Sequence, residues 1–85
     1  MQTIGRFELA TVTRETCIRI PQGSRIVRFS ARPMDPAVWV LFDPEMPTVI
    51  RCLRVVATDT PVNDDWEYVT STVEGSDVWH LFQMK

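Results

Sequence analysis

Histidine and lysine occur once each and cysteine twice among the 85 residues. Three Cys and His side chains fall short of the four ligands a structural zinc site takes, and two cysteines cannot build the multi-bridge framework of a small secreted domain. Glycine is also scarce, and none of the three lies in a phosphate-cradling loop. There is no Gly-x-Ser-x-Gly elbow and no His-x-x-x-His pair. No run approaches the roughly 18 apolar residues of a membrane-spanning helix. Met1 to Arg6 has neither the basic start nor the following apolar stretch of a secretory signal. These absences lead to the expectation of a soluble, intracellular, non-membrane protein without metal or other cofactor.

What remains is strand chemistry. Hydrophobic residues make up 45% and charged residues 24% of the chain, the balance of one folded domain over residues 1–85. Val, Ile, Thr, Phe, Tyr and Trp total 33 residues, against nine of Leu, Ala and Lys together. Such side chains fit a pleated surface and lose rotamer freedom in a helix. Six prolines leave no interval for a long amphipathic helix. Between these breakers, strands are expected near 3–9, 16–20, 25–31, 37–42, 49–57, 67–73 and 77–83. The expected fold is all-β, a single small barrel or sandwich of about seven antiparallel strands. Pro21-Gln22-Gly23-Ser24 reads as a turn. Hairpin connections are expected at 32–36, at 43–47 and at Glu74-Gly75-Ser76-Asp77.

Two strands carry more apolar surface than one buried face needs. Residues 37–42 are apolar on both sides, and 78–82 set Trp79 and Leu81 against Val78, His80 and Phe82. A chain this short buries about 60% of its extended-chain surface. The surplus points to a homo-oligomer, with a central, loop-covered barrel strand as the alternative.

Charge is unevenly divided. Residues 1–54 hold all eight arginines and a net charge of +3, whereas 55–85 carry a net of −5. The overall −2, with a pI near 5.2, argues against general nucleic-acid binding. An Arg cluster still suits one anionic ligand, because a guanidinium grips phosphate or carboxylate at two points. Arg28, Arg51 and Arg54 are the candidates for that site. Arg51 and Arg54 point to opposite strand faces, while Arg19, Arg28 and Arg54 would meet if their strands were neighbours. Cross-strand pairing with Glu8, Glu67 or Asp77 is the plainer use of these arginines, and a G+C-rich coding genome the plainer source of their number.

No catalytic constellation emerges. His80, in mid-strand, reads as a sheet residue rather than a general base. Cys17 and Cys52 read as small hydrophobes within strands. Asp59, Asp64 and Asp65 occupy a long loop before Trp66, without the spacing of a calcium loop. A long loop in a small domain is a natural contact surface. Asp59, Asp64, Asp65 and Trp66 are therefore the candidate protein-binding residues, with a core position at the strand entrance as the plainer place for Trp66.

Taken in order, several segments resemble landmarks of a family of small proteins encoded by bacteriophages and prophages. They are Ile4-Gly5-Arg6-Phe7-Glu8-Leu9, Ile20-Pro21-Gln22-Gly23-Ser24-Arg25-Ile26, Val38-Trp39-Val40-Leu41-Phe42-Asp43-Pro44, Tyr68-Val69-Thr70-Ser71 and Val78-Trp79-His80-Leu81-Phe82. Where that family has a Gly-Thr-Gly-His-Pro loop, this chain reads Ala57-Thr58-Asp59-Thr60-Pro61. The resemblance implies a phage origin and an all-β fold, and no activity. The expectation is a non-enzymatic accessory protein of the host cytoplasm that binds a host protein, a defence factor or a phage protein. An oligomeric sponge for an anionic nucleotide-type ligand and a minor virion component, decorating or connecting capsid or tail subunits, are the alternatives.

Overall fold

Runs of β-branched and aromatic residues become strands, and proline and glycine end them. The computed structural model describes residues 1–10 and 14–85. Its seven strands are β1 (Thr3–Glu8), β2 (Glu15–Pro21), β3 (Arg25–Ser30), β4 (Ala37–Phe42), β5 (Thr48–Ala57), β6 (Trp66–Glu74) and β7 (Asp77–Met84). Among the described residues there is no helix, and so none long and apolar enough to cross a membrane.

The strands form two open antiparallel sheets, ordered β1-β4-β3 and β2-β5-β7-β6. The fold is thus a sandwich, not a closed barrel. Ile20, Phe29, Val38, Val40, Leu53, Val55 and Leu81 fill the space between the sheets, with Leu9 and Ala31. β4 and β7, the two strands apolar on both faces, are both internal. Gly5 leaves room beside β4, since a Cβ there would come within 3.0 Å of the Phe42 ring.

The expected hairpins at 32–36 and 74–77 join β3 to β4 and β6 to β7. Gly75 supplies the positive φ, 63°, wanted by a two-residue loop. The expected hairpin at 43–47 is a correction: β4 and β5 belong to different sheets. The turn at 21–24 also changes sheets, and Gln22 N–H donates to Pro47 C=O at 2.8 Å, tying the two crossings together. At that corner Gly23 takes φ 82°.

Two bulges reset the side-chain alternation. The β3 register shifts between Ile26 and Arg28, so Ile26 and Phe29 both face the core while Arg28 faces out. The β6 register shifts between Tyr68 and Thr70, leaving Trp66, Tyr68, Ser71 and Val73 on the outer face.

The β5–β6 connection, residues 58–65, is a crossover. Ala57 lies beside Trp79 and Trp66 beside Met84, so this segment runs back along nearly the whole of β7.

Candidate functional site

The outer face of the three-stranded sheet carries an arginine–tryptophan row. Arg6 on β1 and Arg28 on β3 both register with Trp39 on β4. Their guanidinium carbons lie 5.7 and 5.4 Å from the indole centroid, within cation–π range. The row floors a cleft of about 460 Å³, walled also by Arg32 and Asp35 of the β3–β4 turn and by Thr72 to Glu74 of β6.

The cations of the cleft are not equivalent. Arg6 is bound to Asp35 and, at 3.3 Å, to Glu8. The hydrogen bond that Arg6 donates to Asp35, reinforced by the one to Glu8, raises the Arg6 pKa above its ordinary value. Arg28 and Arg32 have no carboxylate partner among the described residues. Glu74 Oε1 accepts from Ser30 Oγ and from the Ala31 backbone N–H, each at 3.3 Å, and so joins β6 of one sheet to the end of β3 in the other.

The arginines singled out in the sequence are dispersed. Arg28 lies on the three-stranded sheet, so it cannot meet Arg19 and Arg54, which lie on β2 and β5 of the other. Arg54 stands opposite Glu15 on the outside of that sheet. Arg51 is half-buried and donates to Ser24 C=O at 3.0 Å, a use that stabilises the β2–β3 turn. The structure instead brings Arg6 and Arg32 to Arg28. Arg6 and Glu8, alternating with Gly5, Phe7 and Leu9, mark Arg6 as outward-facing in the sequence, but nothing there marks its neighbours.

The outer face of the four-stranded sheet is chemically different. Tyr68 is 54% exposed, Val73 65% and Met84 47%. Tyr68 packs edge-on against Phe82, with centroids 5.5 Å apart, and Trp66 registers with Met84. Trp66 therefore stands on the outer face, half-buried, and not in the core. Asp64 and Asp65 are exposed beside it, where Asp65 N–H donates to Asn63 Oδ1 at 2.9 Å and Lys85 N–H to Asp65 C=O at 3.0 Å. Asp59 is a correction to the acidic grouping, because it follows Ala57 at the opposite end of β7.

His80 is held in the same outer face. Thr58 Oγ1 donates to Val78 C=O at 3.1 Å and lies 2.9 Å from His80 Nε2. A hydroxyl has one proton, so Thr58 donates to one of these two partners at a time, and its role toward Nε2 is set by the imidazole tautomer.

Cys17 and Cys52 are not separate hydrophobes. They are cross-strand partners joined by a disulfide. The Glu15 carboxylate lies near both sulfurs, but a disulfide has no thiolate to offer a metal, and His80 registers four residues further along β5, at Val56.

Two open antiparallel sheets, one with an arginine–tryptophan cleft and the other with an aromatic outer face, define an all-β sandwich. The chain belongs to the family of a domain of unknown function, DUF7352, whose pattern matches residues 1–85. No curated protein and no solved structure matches it.

Proposed function

We propose that this chain is a phage-encoded accessory protein that acts by binding rather than turnover, capturing a host protein in the host cytoplasm. The observation carrying this reading is the outer face of the four-stranded sheet, where exposed Tyr68 and Met84 stand beside half-buried Trp66 and Phe82. Aromatic and Met side chains surrounded by polar ones are the usual composition of a contact centre. Asp64 and Asp65 at the border of this patch, within a half-chain of net charge −5, favour a partner with a basic rim. The phage origin rests on the ordered sequence landmarks. The disulfide sets a condition on the cytoplasmic placement, since a reducing compartment would hold Cys17 and Cys52 as thiols.

The test is affinity capture from infected-cell lysate, followed by titration of the purified partner. Tyr68→Ser is expected to weaken binding at least about tenfold, as loss of an aromatic anchor does. Asp64→Asn with Asp65→Asn is expected to slow association and flatten its salt dependence. Arg25→Gln, on the other sheet, is the control. A partner held equally by wild type and Tyr68→Ser would remove this face from the function. Concentration-dependent dimers lost on Tyr68→Ser would assign it to a second copy instead, and fixed stoichiometry in purified virions would replace host capture by a structural role.

A further inference from the structure

We infer that the Arg6–Trp39–Arg28 cleft is a binding site for a small phosphorylated ligand of the nucleotide class, on the sheet opposite the aromatic face. Three observations lead there. Arg28 and Arg32 line the cleft without a carboxylate partner among the described residues. Two unpaired guanidiniums match the charge of a phosphate monoester dianion, which each can grip in bidentate fashion. Arg6, already neutralised by Asp35 and Glu8, holds the other side of Trp39 and fixes the indole between two cations.

The carboxylates of the cleft narrow the ligand further. Asp35 and Glu74 line it along with the arginines. A bare anion would be repelled by them, whereas a ligand with hydroxyl or amino donors at a distance from its phosphate gains acceptors. Glu74 binds Ser30 and Ala31 through Oε1, which leaves Oε2 for such a donor. Phosphate at one end and sugar or base donors at the other are the chemistry of a nucleotide. A volume of about 460 Å³ is within the range of small-molecule sites. The acidic half of the chain, net −5, opposes a long polyanion.

The bulge at Val27 is what assembles the site. Without the register shift between Ile26 and Arg28, strand alternation would turn Arg28 to the Ile26 side, into the core. Instead it occupies the Trp39 rung.

The test is calorimetric titration of the folded protein with AMP, inorganic phosphate, succinate and a single-stranded oligonucleotide, supported by thermal shift. AMP is expected to bind more tightly than phosphate and succinate, and to raise the melting temperature. Arg28→Gln and Arg32→Gln are each expected to weaken AMP about tenfold or more, with the unliganded melting temperature unchanged. Glu74→Gln is expected to weaken AMP but not phosphate, and Arg54→Gln to change nothing. Absence of AMP binding at millimolar concentration, or equal binding by wild type and Arg28→Gln, would overturn the site. Equal affinity for AMP and phosphate would overturn the nucleotide assignment, as would tighter binding of succinate or the oligonucleotide. Partner capture through Tyr68 is read separately, so failure here leaves that reading intact.

Discussion

Cys17 on β2 and Cys52 on β5 face each other across the strand pair and are covalently joined, closing a separation of 35 residues. β2 is an edge strand whose only sheet neighbour among the described residues is β5, so the bond pins an edge element of the sheet. Loop-closure entropy for a link of this length is worth about 4 kcal/mol in the chain-entropy model, and measured native disulfides fall mostly near 2–4 kcal/mol. Reduction, or Cys17→Ser with Cys52→Ser, should therefore lower unfolding free energy by about 2–4 kcal/mol, a large part of the stability of a domain this size. Urea denaturation with and without dithiothreitol measures it. Coincident midpoints would show that β2 is held by its hydrogen bonds and apolar contacts alone.

The clasp made by Glu74 joins the two sheets along one side, where β3 and β6 approach. Ala31 is fully buried, so removing the carboxylate leaves its N–H without this partner. Glu74→Ala should cost about 1–3 kcal/mol, the range for orphaning a buried donor. Glu74→Gln keeps an acceptor oxygen and should cost less than about 1 kcal/mol. Equal losses in the two variants, measured by urea denaturation, would mean that charge and not the hydrogen bonds matters at this position.

Local chemistry made the strands legible. Val49 to Ala57 and Val78 to Phe82 are so rich in β-branched and aromatic residues that their limits fall within a residue or two of β5 and β7. The partition into two sheets was not legible at Asp43-Pro44-Glu45-Met46-Pro47, because a proline-rich turn looks the same whether it folds a strand back on its neighbour or carries it across the core. The bulges at Val27 and Val69 were equally silent, since an extra residue in a ladder depends on the partner strand. This explains why Arg28 was found without Arg6 and Arg32. It explains the cysteines as well: a separation of 35 residues does not reveal that their strands pair in a register that sets one opposite the other.

Asp59 adopts φ 72°, in the left-handed region, at the turn where Thr60 N–H donates to Ala57 C=O at 3.2 Å. A glycine at this position would meet no steric penalty. Asp tolerates the conformation better than most residues but not as well as glycine. Asp59→Gly should therefore stabilise the fold by about 0.5–1 kcal/mol, while Asp59→Ala should destabilise it by about 1 kcal/mol. Both substitutions remove the same carboxylate, so relief of repulsion in the acidic loop would move them in the same direction. Only a backbone origin separates them. Urea midpoints in the order glycine above aspartate above alanine would establish it, and an alanine variant as stable as the glycine one would refute it.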